Sequence, residues 1–147
     1  MFEHLSPGVE KVIKLANRIA HEYGLEYVGT EHVLLAIVEE GEGNGMRVLQ
    51  NHGLDKDKVK AEVAKLIQKS MEDTWVFGRL PGTPHFRNVI ARAIEEARDL
   101  RSKEVCTEHL LLGLLREKGS VACNALTNLG LALPEVRNEI AKLSQPQ

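Results

Sequence analysis

Cysteine is scarce in this chain: Cys106 and Cys123 are the only two. Two thiols at that spacing build neither a disulfide framework nor a zinc site, and they suit a reducing compartment. An excess of charge is missing as well. Nineteen Lys and Arg stand against 21 Asp and Glu, for a net charge of −2, and no block of like charge stands out. That argues against nucleic acid as the main partner, because phosphate binding needs a basic face. No apolar run approaches the length of a membrane span. The N-terminus, MFEHLSPGVEK, has no basic segment leading into an apolar core. The expectation is a soluble protein of the cytoplasm with neither nucleic acid nor membrane as its partner.

Enzyme signatures are also lacking. The stretch GLEYVGTE from Gly24 has the two glycines of a phosphate loop, but Thr30 stands where lysine is required. It also lies between two expected helices rather than after a strand. His21-Glu22 would need a histidine at position 25 to make a zincin motif, and Leu25 is there. Cys106 has His109 three residues on, the spacing of an activated thiol. A second copy of this segment, described next, has Gly29 in place of that cysteine, so the pairing reads as incidental. No catalytic residue, metal ligand or cofactor is expected, and the chain is read as no enzyme.

What the chain does have is an internal repeat. TEHVLLAIVEEGEG from Thr30 returns as TEHLLLGLLREKGS from Thr107. A shift of 77 residues aligns the two copies without a gap, and 21 of 61 positions from Pro7 to Ile67 are identical. A duplication of that length gives one domain over 1–147, with repeat one at 3–68, a linker at 69–82 and repeat two at 83–144. Either half alone would bury a marginal core, so the halves gain by packing together.

Each copy reads as four helices. The first begins with Ser6 or Thr83 at the N-cap and Pro7 or Pro84 at N1, a favoured start. Val9, Val12, Ile13, Ala16, Ile19 and Ala20 recur at helical spacing, as do Phe86, Val89, Ile90, Ala93, Ile94, Ala97 and Leu100. Gly24 ends this helix in the first copy. The second helix starts at Thr30 or Thr107 and leaves little polar face, which places it at the buried centre of its copy. The third ends in Gly53-Leu54 or Gly130-Leu131, the pattern of a Schellman ending. The fourth carries Val59, Val63, Leu66 and Ile67, answered by Val136, Ile140 and Leu143. No strand pattern is visible. The fold expected is all-α, eight helices in two pseudo-twofold-related repeats.

Two features invite a functional reading beside a structural one. In the linker KSMEDTWVFGRLPG, Trp75 and Phe77 either staple the segment to the helices or form an apolar surface for a partner. In the triplet Thr-Glu-His, Thr30 and Thr107 suit an N-cap worth about 1 kcal/mol. Glu31 and Glu108 suit the positive end of the helix dipole, and His32 and His109 suit a local hydrogen bond. The same atoms suit a ligand: helix amides take an anion, and a carboxylate takes a guanidinium. An arginine whose guanidinium bears a phosphate has both features, and two copies would give two sites on a multiply marked chain.

GTEHVLLAIVEEGEGNGMRVLQNHGL and its echo closely resemble the double repeat at the N-terminus of the ClpA/ClpC group of AAA+ unfoldases, ClpC most of all. The resemblance covers about residues 2–144. It implies an eight-helix domain that sits on an ATPase ring, in cis or in trans, and docks substrate proteins or adaptors. In ClpC-like members it further implies phosphoarginine binding, one site per repeat. Carried over, the guanidinium contacts fall on Glu31 and Glu108, beside Thr30 and Thr107, with the hydroxyls of Ser6 and Thr83 as further candidates. The alternative it implies is a freestanding accessory subunit on a Clp proteolytic core, as in plastids, where the compartment would be the stroma. Cys106 in place of the glycine before the second triplet, REKGSVACNAL in place of R-E-G-E-G, and Phe86 depart from the pattern and weigh on the second site. Gly8, after the proline of the first copy, departs as well. No Walker motif follows. As an isolated domain the chain is expected to be a monomer, since the duplication supplies the twofold contact itself.

Overall fold

A computed structural model defines the backbone of residues 5–24, 28–77 and 83–144, and the side chains of these residues except 68–84 and 144. It contains α1 (Pro7–Glu22), α2 (Thr30–Glu40), α3 (Gly43–Asn51), α4 (Lys56–Phe77), α5 (Thr83–Asp99), α6 (Thr107–Arg116), α7 (Val121–Asn128) and α8 (Leu133–Ser144). The chain is all-α among the described residues, with eight helices in two copies of four. Among the described residues the one β contact is a bridge between Leu5 and Val105. It ties Leu5, just before α1, to the segment that leads into α6.

Local signals set most helix ends. Ser6 caps α1, its hydroxyl accepting the Val9 N–H at 3.2 Å, with Pro7 in the first turn. Gly53 (φ 75°) and Gly130 (φ 100°) take the left-handed position after α3 and α7. Leu54 N–H then reaches Leu49 C=O at 3.0 Å, and Leu131 N–H reaches Leu126 C=O at 3.0 Å, the long bond of the Schellman motif. α4 departs from expectation. It continues through Phe77, so the first part of the stretch read as a linker from residue 69 is helical backbone. The side chains of Trp75, Phe77 and Thr83 lie outside the described residues.

The core is organised around α2 and α6. Every residue from Thr30 to Val38, and from Thr107 to Leu115, is buried. Leu34, Ile37, Leu110, Leu111, Leu112 and Leu114 are among the largest fully buried side chains. Truncating any one of them to alanine would cost about 2–5 kcal/mol. α1 packs on α2 and α5 on α6, their apolar stripes facing inward.

The repeats are not two separate bundles. α3 packs more extensively on α6 and α8 of the other copy than on α2 of its own, and α7 crosses to α4 and α2. Gly45 shows how close the α3–α6 approach is. A β-carbon there would stand 2.9 Å from the Thr107 carbonyl oxygen, inside contact distance.

Candidate functional site

The triplets sit at the start of the two central helices, one position further in than the sequence suggests. The N-cap residues are Gly29 and Cys106, so Thr30 and Thr107 open the helices and Glu31 and Glu108 follow them. Neither threonine caps its own helix. The Thr30 hydroxyl accepts the Ala122 N–H of α7 at 3.2 Å, and the Thr107 hydroxyl accepts the Gly45 N–H of α3 at 3.0 Å. Each repeat thus caps the third helix of the other, and both hydroxyls are occupied within the fold. Both amides lie in the first turn of the incoming helix, where no intrahelical partner exists for them.

The histidines supply the local cap instead. His32 Nδ1 accepts the Gly29 N–H at 2.9 Å and His109 Nδ1 accepts the Cys106 N–H at 2.9 Å. Accepting at Nδ1 leaves the ring proton on Nε2, and both Nε2 atoms are buried without a partner among the described residues. Burial pushes the His32 pKa down to about 4 and lowers that of His109, so the capping rings are neutral.

Cys106, Glu108 and His109 bring one ligand-type atom each within 4.8 Å of one another. The capping bond argues against a metal there. The Nδ1 lone pair is taken by the Cys106 amide, and Nε2 carries the proton. Burial also pushes the Cys106 thiol pKa up, aided by the nearby Glu108 charge, which disfavours the thiolate a metal or a nucleophilic step would need.

Around the second triplet the chain forms an open pocket of about 380 Å³. Three helix N-termini converge on it: Ser6 and Gly8 of α1, Glu42, Gly43 and Asn44 of α3, and Cys106, Thr107 and Glu108 of α6. Lys11 and Glu40 complete the rim. Ser6 therefore meets the triplet of the other repeat, so the pocket is composite. Glu108 is 5% exposed, and its carboxylate accepts from the Asn44 side-chain amide at 3.3 Å. No lysine or arginine is paired with it in the ion pairs of the described residues. Lys11, Asn44, Glu40 and Glu42 were not singled out by sequence. Their signal is their place in the first copy, one turn from Pro7 or at and just beyond the end of α2, and it means nothing until α6 is brought against them.

The first triplet has different surroundings. Burial raises the Glu31 pKa, opposed by its own backbone amide and by the charge of His85. His85 is held at 2.6 Å by Glu117, which also accepts from Asn88 at 2.8 Å and Arg92 at 3.1 Å. Burial pushes the Glu117 carboxyl up, but the hydrogen bonds from Asn88, His85 and Arg92 outweigh it and hold the pKa below the usual range. His85 and Asn88 stand where repeat one has Gly8 and Lys11. The first triplet therefore faces a polar network where the second faces a pocket rim.

The chain matches the family described as "Clp repeat (R) N-terminal domain" twice in succession, over residues 4–80 and 81–147. The chain belongs to the Clp repeat family. It carries two Clp repeats, and such repeats are non-catalytic accessory domains. Over 143 residues, 97% of this chain, it is 39% identical to the Bacillus subtilis "Negative regulator of genetic competence ClpC/MecB" and 37% identical to "Chaperone protein ClpC1, chloroplastic" of Arabidopsis thaliana. The Clp repeats here span only 17% and 15% of those proteins. The N-terminal domain of ClpD from Arabidopsis thaliana superposes with a TM-score of 0.67 at 22% identity, covering 98% of each chain. The Hsp104 N-terminal domain from Candida albicans gives 0.69 at 13% identity, covering 99% of this chain and 94% of that one. These two show the shared fold.

Proposed function

We propose that this Clp repeat pair is a recognition domain that binds substrate or adaptor proteins for an AAA+ Clp motor, with phosphoarginine as a ligand of the triplet sites. Relatives at similar identity are named ATP-dependent Clp protease ATP-binding subunits, which supports a motor as the partner, in cis or in trans. The observation that carries the ligand reading is the composite pocket. It sets a nearly buried carboxylate, Glu108, against three helix N-termini with Lys11 at the rim.

The charges assign an orientation. Glu40, Glu42 and Glu108 repel a phosphoryl group and attract a guanidinium, so the guanidinium faces Glu108. The phosphoryl group belongs at the α1 end, beside Lys11, the Ser6 hydroxyl and the first-turn amides. The accessory-subunit alternative calls for a large apolar contact surface. Among the described residues the exposed large hydrophobic is Tyr23, which gives that reading less support.

The test is an amide NMR titration with free phosphoarginine, with arginine and inorganic phosphate as controls. Shifts are expected at Ser6 and Gly8 and at residues 43–45 and 106–108, and they should vanish in Glu108→Ala. No shifts at millimolar phosphoarginine would sink the ligand assignment and leave protein docking by other surfaces.

A further inference from the structure

The two triplets share their residues and their backbone, yet their carboxylates lie differently, and one atom accounts for it. Gly29 and Cys106 both precede a triplet in the same extended conformation, φ −102° and ψ 172° against φ −107° and ψ 173°. In repeat one the Glu31 carboxylate is folded back into the space where a β-carbon of residue 29 would stand. In that position it meets its own backbone amide. In repeat two that space is filled, because Cys106 has a β-carbon, with its thiol directed toward the Glu104 carbonyl at 3.8 Å. Glu108 cannot fold back. Its carboxylate lies instead among the pocket residues, against Asn44. The position across from Glu31 that matches Asn44 is Val121, which has no side-chain amide to offer.

We infer that Cys106 is a positioning residue whose β-carbon holds the Glu108 carboxylate toward the pocket, making the second site the one ready for a guanidinium. The ligand side of this inference rests on the function proposed above; the side-chain placement does not. The substitution that weighs against the second site when the sequence is read alone is then the feature that prepares it. The thiol itself has no part, since any β-carbon fills the same space. In the first site, a ligand must draw Glu31 away from its amide before pairing with it, and it binds more weakly for that reason.

The experiment uses the full chain as Cys106→Gly and Cys106→Ala. Glycine at this position keeps the fold, because repeat one carries glycine there in the same conformation. Two readouts are taken: the Asn44 side-chain amide resonances without ligand, and phosphoarginine affinity at the second site. Cys106→Ala should match the parent chain in both. Cys106→Gly should move the Asn44 side-chain resonances and weaken binding about tenfold, the effect of one charge-assisted hydrogen bond lost from the ready state. Unmoved Asn44 resonances and unchanged affinity in Cys106→Gly would overturn the inference. So would Cys106→Ala behaving like Cys106→Gly, which would assign the effect to the sulfur. If the parent chain does not bind phosphoarginine at all, the ligand reading fails and the Asn44 resonances alone decide the positioning.

Discussion

At the scale of single residues, the most unusual choice is a neutral, buried histidine as a helix cap. His32 satisfies the Gly29 amide with Nδ1 and leaves a buried Nε2–H without a partner among the described residues, and His109 does the same for Cys106. An unpaired buried donor costs about 1–3 kcal/mol, so the ring is tolerated for what its other nitrogen and its volume contribute. It also couples stability to pH. The His32 pKa is about 4 in the fold, against 6.5 for the free side chain, so between these values the unfolded chain binds more protons than the folded one. The contribution is complete above about 6.5 and is lost as pH falls toward 4, by about 3 kcal/mol at most. Glu31, whose folded pKa is raised, acts in the opposite sense over the acidic part of that window. We therefore expect urea midpoints of the parent chain to fall between pH 6.5 and 4 more steeply than those of His32→Asn, which keeps an acceptor for Gly29 and removes the titration. Parallel curves for the two chains would contradict the assignment.

At the scale of the helix, the two copies show the same ending met by good and by poor chemistry. α1 and α5 both end by turning left-handed: Gly24 at φ 77° after α1, Arg101 at φ 59° after α5. The bond set after α5 is a full Schellman ending, with Ser102 N–H to Ala97 C=O at 2.8 Å and Arg101 N–H to Arg98 C=O at 3.0 Å. Its geometry therefore prevails over the residue at C′, at a cost of about 1–2 kcal/mol for a side chain in that region. Arg101 is exposed and takes no part in the ion pairs of the described residues, so little is lost by removing it. Arg101→Gly should raise the thermal midpoint by a few degrees, about 1 kcal/mol after the greater freedom of glycine in the unfolded chain is deducted. A lowered midpoint would show that the arginine makes a compensating contact.

At the scale of the whole molecule, the fold is symmetric and its surfaces are not. The groove lined by Ile19, Tyr23, Glu39 and Lys60 has as its counterpart the groove lined by Glu96, Leu100, Arg116 and Arg137. In the second, Glu96 is nearly buried and is held by Arg137 through two bonds of 2.9 Å and by Arg116 at 3.1 Å. In the first, Glu39 is exposed and accepts from Lys60 at 3.1 Å and Lys56 at 3.2 Å. Removing either arginine from Glu96 would leave a buried charge short of a partner, whereas the lysine pairs near Glu39 contribute little. The same division governs folding. α3 and α7 are capped and packed by the other copy, so residues 1–80 or 81–147 expressed alone would lose a capped amide and the partner of a whole helix. Each fragment is expected to lack a cooperative unfolding transition and a dispersed amide spectrum. A well-dispersed spectrum from either fragment would show that one repeat suffices.

By itself, the sequence determined the helices and most of their ends, because those depend on signals within a few residues. The exceptions are the end of α4, which runs on to Phe77, and the starts of α2 and α6, which lie one residue earlier than the threonine caps suggest. Pro7 after Ser6, Gly53 before Leu54, and the uninterrupted apolar run of Leu34 to Val38 act over one or two turns, and the structure follows each of them. Duplication made the pseudo-twofold arrangement legible too. The tertiary structure alone decided what the triplets do. Thr30 meets an amide 92 residues away and Thr107 one 62 residues away, so no local rule could have moved them from cap to cross-repeat bond. Glu96 stands in the apolar stripe where repeat one has Ile19, and only the approach of Arg116 and Arg137 shows why burial there is tolerated. The pocket likewise exists only once three helix starts converge, and the placement of Glu108 within it depends on a single β-carbon at Cys106. Local chemistry sets the elements; side chains far apart in sequence, brought to one point, set the site.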